Sequence, residues 1–211
     1  ATIVPALIGC ISGCSQPDSQ KFQPTSYVDG KNWPLDRANP GNTGAVDVQI
    51  EWPDSTEQSA LFQTDGVITE LVSVDNYLWY TGTKIGLFNT NSNESVWEAT
   101  PQAQINVSPA VANRRVYLGT LRHLIAYSHT RGEKVWGTSQ DVVDTAPITN
   151  NGRVFAENKS AQQLEKKSAE TGETLAKYET EHSLQGLAVS DERVFLTQRG
   201  ESTGKIVSID W

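Results

Sequence analysis

Ser108-Pro109-Ala110-Val111-Ala112-Asn113-Arg114-Arg115-Val116-Tyr117-Leu118-Gly119-Thr120 opens a unit that runs on through Leu124-Ile125-Ala126-Tyr127 and closes at Thr130-Arg131-Gly132-Glu133-Lys134-Val135-Trp136. Its apolar runs are only three to five residues long, and turn formers separate them. That length and punctuation predict strands, because a helix needs a longer stretch at a 3.6-residue period. Four strands are expected: Ala110–Ala112, Val116–Gly119, Leu124–Tyr127 and Lys134–Trp136. Asn113-Arg114 supplies the first tight turn, and Gly132 can take the positive φ of the last.

The unit recurs. An earlier copy holds Val72 to Tyr80, then Ile85-Gly86-Leu87-Phe88, and closes at Asn93-Glu94-Ser95-Val96-Trp97. A later copy begins at Ala146-Pro147 and closes at Thr171-Gly172-Glu173-Thr174-Leu175, and a last one spans Leu187 to Trp211. Leu78, Val116, Val154 and Val194 are spaced by 38, 38 and 40 residues, and Trp97 precedes Trp136 by 39. Asn93, Gly132 and Gly172 step by 39 and 40. Landmarks that share one period define a structural repeat. One small sheet cannot bury its own faces, so copies must stack. A ring of four-stranded blades does this at a period near 40. The fold expected is all-β, a β-propeller of four-stranded antiparallel blades with about four blades present, a partial ring of a seven- or eight-bladed whole. Ala161 to Glu170 has helix-forming composition, yet it fills the third-strand slot, so Gln163–Ser168 is expected as strand. Asp141-Val142-Val143-Asp144 is too thin for a calcium cage and reads as an exposed loop between blades.

The chain has 211 residues, a formal charge of −8, 37% hydrophobic and 20% charged residues. This is globular composition. The acidic balance argues against nucleic acid as a partner, since phosphate recognition needs a basic face. No run reaches the roughly 18 apolar residues of a membrane-spanning helix.

Residues 1–14 are apolar, small and uncharged, and read as the remnant of a signal peptide without its basic start. Ile11-Ser12-Gly13-Cys14 resembles a lipobox, the aliphatic-small-small-Cys pattern of prokaryotic lipoproteins, and Leu7-Ile8-Gly9-Cys10 is similar. Cys14 is the preferred lipidation residue and Cys10 the alternative, because the polar tether of residues 15–31 begins directly after Cys14. Residues 32–211 are then the repeat region, expected to be incomplete at its C-terminal end.

The repeats resemble those of the pyrroloquinoline-quinone-like (PQQ-like) β-propellers, of the exported lipoprotein, barrel-assembly-scaffold type. Ser108-Pro109, Val116-Tyr117, Ile125-Ala126-Tyr127 and Gly132 with Trp136 carry the resemblance, as do Ala146-Pro147, Val154-Phe155, Thr171-Gly172 and Val194-Phe195. Trp33-Pro34, Arg37, Asn39-Pro40 and Thr43-Gly44 are similar to the motif that opens the first blade in that family. The resemblance implies that Trp97 and Trp136 dock between neighbouring blades, with Gly132 and Gly172 as blade-docking turns. Ala176 takes the place of the tryptophan in the third copy. One branch of the family is quinoprotein dehydrogenases, which use the quinone, calcium and often an adjacent cysteine pair. The other is non-catalytic and includes the lipoprotein scaffold of outer-membrane barrel assembly.

No catalytic or metal-binding residues stand out. His123, His129 and His182 read as solvated loop histidines, since none is paired in sequence with Cys, His or Asp at ligand spacing. Asn93, Asn106 and Asn158 begin glycosylation sequons. The expectation is an exported, lipid-anchored, non-catalytic scaffold that binds proteins through its interblade loops, needs no cofactor, touches membrane through the lipid alone, and works at the cell surface or in the periplasm of a prokaryote. The alternatives are a quinone- and calcium-dependent oxidoreductase, or a ligand-sensing propeller.

Overall fold

The computed structural model describes residues 62–105, 107–138, 143–190, 192–200 and 202–210. Cys10, Cys14, the opening motif and Asn106 lie outside them. Fifteen strands follow in chain order. The first blade is β1 (Ile68–Val74), β2 (Tyr77–Gly82), β3 (Ile85–Asn89) and β4 (Glu94–Ala99). The second is β5 (Ala110–Ala112), β6 (Arg115–Gly119), β7 (Leu124–Ser128) and β8 (Lys134–Gly137). The third is β9 (Ile148–Asn150), β10 (Arg153–Asn158), β11 (Gln163–Ser168) and β12 (Thr174–Glu179). The fourth is β13 (Leu184–Val189), β14 (Arg193–Arg199) and β15 (Gly204–Asp210). Each blade is a meander whose strands pair with their sequence neighbours, all antiparallel.

The turns follow the residues that make them. Asn113 and Arg114 both have positive φ, 51° and 58°, which matches the twist of the flanking strands in a two-residue hairpin. Gly132 and Gly172 hold φ of 65° and 75° before the fourth strand, and Asn93 takes the same role in the first blade at 55°. Across this turn the pairing of third with fourth strand slips register at Leu87/Phe88, Ala126/Tyr127 and Lys166/Lys167. The irregularity therefore belongs to the repeat.

The first strands form the inner edge. β1 touches β5, β5 touches β9 and β9 touches β13, while among the described residues β13 makes no comparable contact back to β1. The four blades thus form an open arc. Alternation within a strand sends side chains to opposite neighbours. Val154 and Ala156 join Tyr117 and Trp136 between the second and third blades. Phe155 between them joins Leu187, Val194 and Leu196 of the fourth. Trp79 and Leu87 likewise meet Val111 and Val116. Each fully buried side chain of this size contributes about 1.5–3 kcal/mol.

Gln163–Ser168 is a strand despite its composition. It is paired on both sides, to β10 and β12, and Leu164 is buried in the core shared with the fourth blade. A 3₁₀ turn over Lys159–Ala161 precedes it, capped by the Asn158 side chain. Two expectations need correction. Val143 is not part of an exposed loop: it is 0% exposed and packs between the second and third blades. His129 is not a solvated loop histidine. It is half-buried, with its ring 4.9 Å from Tyr77 and 5.3 Å from Trp79.

Candidate functional site: the junctions between blades

Two constructions recur along the junctions: a tryptophan latch at the first two, and a mouth at the rim where a second strand ends and the next blade begins.

The latch is built from the closing tryptophan of one blade and the glycine turn of the next. A Cβ on Gly132 would lie 2.4 Å from Trp97, and one on Gly172 would lie 2.7 Å from Trp136. Only glycine leaves room for the ring. The Trp97 indole N–H donates to the His129 carbonyl at 2.9 Å, and that of Trp136 to the Ala169 carbonyl at 3.1 Å. His129 and Ala169 each stand three residues before the turn glycine, so the two latches are the same bond. The Ala169 carbonyl also accepts from Arg115 at 2.7 Å and from the Tyr117 hydroxyl at 3.2 Å. Trp136 is buried and Trp97 half-buried. The third blade departs from this pattern. Ala176 pairs opposite Lys166, so no indole is offered from that slot.

The mouths differ in chemistry. Between the first and second blades the cavity measures about 600 Å³ and is lined by Val67, Pro101, Ala103 and Ile105 among others. Between the second and third, Val143 and Val107 close over Gly119, where a Cβ would lie 2.6 Å from Val143. Between the third and fourth the cavity measures about 360 Å³ and its lining includes Asp144, Thr145, Glu157, Lys159, Ser183 and Gln185. Glu157 occupies the slot held by Thr81 and Gly119 in the earlier blades. One of its carboxyl oxygens, Oε1, accepts the Leu184 N–H at 3.0 Å. The other, Oε2, has no hydrogen-bond partner among the described residues. Burial pushes this carboxyl above the usual range, and nearby Asp144 adds to the shift while the Leu184 N–H and Lys159 oppose it. Lys159 itself pairs with Asp144.

The other two buried charges pair with each other. Glu165, 3% exposed, pairs with Lys167 and accepts from Asn158 at 3.1 Å. Burial raises its carboxyl, but Lys167, Asn158 and Lys177 more than offset this and leave it below the usual value. At the rim of the first blade, burial and the Glu98 carboxylate, which accepts from the Tyr80 hydroxyl at 2.8 Å, push Tyr80 up to about 12.

The structure thus brings Trp97, Trp136, Gly132 and Gly172 together in pairs. Asn93 sits exposed in its turn. Asn158 is buried, and its side-chain nitrogen is committed to Glu165. His123 bonds the Thr138 carbonyl at 2.6 Å, and His182 is exposed. Glu157 is marked by no sequence motif. Its signal lies in the alignment of the copies, where a carboxylate replaces Thr81 and Gly119.

Comparison with known proteins agrees with this geometry. A family model described as outer membrane protein assembly factor BamB matches residues 81–210. The chain belongs to this PQQ-like propeller family. No curated protein matches the chain. Among solved structures, quinohemoprotein alcohol dehydrogenase ADHIIG from Pseudomonas putida HK5 superposes with a TM-score of 0.61 at 14% identity over 80% of this chain and 34% of its own. The computationally designed Ika4 protein gives a TM-score of 0.61 at 16% identity, over 74% of this chain and 99% of its own. BamB from Moraxella catarrhalis gives 0.53 at 14% identity, over 66% and 48%. At these identities the likeness establishes the propeller fold. The chain spans about a third of the dehydrogenase and about half of the Moraxella protein.

Proposed function

We propose that this propeller is a non-catalytic scaffold, exported and held to a membrane by a lipid on Cys14, with Cys10 as the alternative, and that it binds other proteins through the loops between its blades. The match of residues 81–210 to the family of the barrel-assembly factor carries the reading. The latches support it, since they fix the spacing of successive rims and so present loops at set separations. Affinity would come from apolar and strand-edge contacts with a protein partner at those rims. Outer-membrane assembly is the setting the family suggests, at the periplasmic or outer face. No helix among the described residues is long and apolar enough to cross a membrane.

Among the described residues no three Asp, Glu, His or Cys side chains converge to hold a cation.

Photocrosslinking residues placed at Thr83, Gln104 and Gln185 on the rims, and at Val96 and Val135 on the outer strands, test the scaffold in cells. Crosslinks to a protein should concentrate at the rims; labelling spread evenly over both sets overturns the reading. Dye-linked alcohol oxidation on adding the quinone with calcium would also overturn it. Cys14→Ala combined with Cys10→Ala should release the protein from the membrane fraction.

A further inference from the structure

We propose that the polar mouth between the third and fourth blades is a binding site for a small organic cation, held through an ammonium group on Glu157 and Thr145. This is independent of the scaffold reading.

Glu157 is 2% exposed and Thr145 8%. Both line the same cavity. Glu157 Oε2 and Thr145 Oγ1 are each without a hydrogen-bond partner among the described residues. Two unfilled acceptors, buried on side chains that line one cavity, ask for a donor. A carboxylate desolvated in this way is costly unless it meets a charge-assisted bond. The repeat shows that the blade does not need it, since threonine and glycine fill the slot in Thr81 and Gly119 and the same sheet forms.

The charge of the lining selects the ligand class. Lys159 is paired with Asp144 and acts on Glu157 only through space, so among the described residues no cation is bonded to Glu157. One positive charge balances it. An ammonium group brings that charge with three N–H donors and no acceptor, and it satisfies a carboxylate and a hydroxyl acting as acceptor together. A bare divalent ion fits less well, because it needs several oxygen ligands and one of the two carboxylates is already held by Lys159. An anion would face Glu157 directly. The cavity of about 360 Å³ lies near the lower end of ligand pockets, roughly 300–1,000 Å³, so the ligand is small. The corresponding mouths are closed by Val143 or apolar, which makes the site particular to this junction.

Titration of the 211-residue chain with ethylammonium, followed by amide NMR, tests the site. Tetramethylammonium, which has the same charge without N–H donors, is the comparison. Saturable shifts at the Thr145 and Leu184 amides with ethylammonium, and none with tetramethylammonium, are expected. Glu157→Gln should weaken binding by at least about tenfold, and it keeps an Oε1 for the Leu184 N–H. Thr145→Val and Asp144→Asn should weaken it less. Unshifted amides in the first two blades verify that each variant is folded. Absence of a saturable shift, an equal response to tetramethylammonium, or undiminished binding by Glu157→Gln overturns the proposal.

Discussion

Two titratable side chains, Glu157 and the half-buried His129, respond to pH in opposite senses. Glu157 has its carboxyl raised in the folded state, so the folded chain holds its proton longer than the unfolded one. The stability this contributes is full below the ordinary value of 4.5 and is lost as pH rises from there through the raised folded value. Glu157→Gln removes the penalty. Its thermal midpoint should exceed the parent's at pH 7 and converge with it near pH 4, at about 2–4 °C for each kcal/mol recovered. A variant that melts below the parent at pH 7 would show that the carboxylate is compensated. His129 runs the other way. Burial among Tyr77 and Trp79 holds its imidazole below 6.5, with Arg114 acting in the same direction and Asp75 against it. Its contribution is present above 6.5 and lost as pH falls below it. Acidification from pH 7 to 5 should therefore lower the protection factor of the His129 amide, its exchange measured against the intrinsic rate at each pH, and His129→Gln should flatten that response.

Among the elements, β11 shows how far the repeat constrains an unpromising sequence. Its Glu165 and Lys167 stand where Ile125 and Tyr127 stand in β7, and both are buried. An ion pair there costs desolvation that the apolar pair avoids. Glu165→Gln, which leaves Lys167 buried opposite a neutral group, should cost about 3–5 kcal/mol in denaturant unfolding. The double variant Glu165→Ile with Lys167→Tyr should recover most of that loss, to within about 1–3 kcal/mol of the parent given the larger ring. This strand was legible because the register of Gly172 against Gly132 fixed its place before its composition was weighed. Asn113-Arg114 was legible for a similar reason, since a two-residue hairpin turn depends on adjacent residues. The burial of Val143 and His129 and the cavity at Glu157 were not. Their surroundings come from the neighbouring blade: Glu157 meets Leu184, and Val143 closes over Gly119. A period shows that two positions are equivalent and says nothing of which neighbour each one faces.

Over the described residues, the main contacts between blades run between neighbours, so stability is close to a sum of blade terms and junction terms. Removing a latch should loosen one junction and spare the others. Trp136→Ala deletes a buried ring and its bond to Ala169, and should cost about 3–5 kcal/mol. Trp97→Ala should cost less, since that ring is half-buried. Hydrogen exchange resolves the two: Trp136→Ala should open the β5–β8 and β9–β12 sheets to each other while β1 to β4 stay protected. Uniform loss of protection across all the blades would mean that the arc unfolds as one cooperative unit.

Because a latch takes its ring from one repeat and its turn from the next, a gene duplication of one whole unit supplies both halves at once. A blade copied by unequal recombination would arrive with a glycine turn ready for the preceding tryptophan and a tryptophan ready for the following turn. Blade number can then drift across generations without a new interface being invented. Ala176 breaks this interchangeability. A recombination across the third blade would carry away an indole slot that holds no indole, so the order of the blades is heritable information here even where their fold is the same.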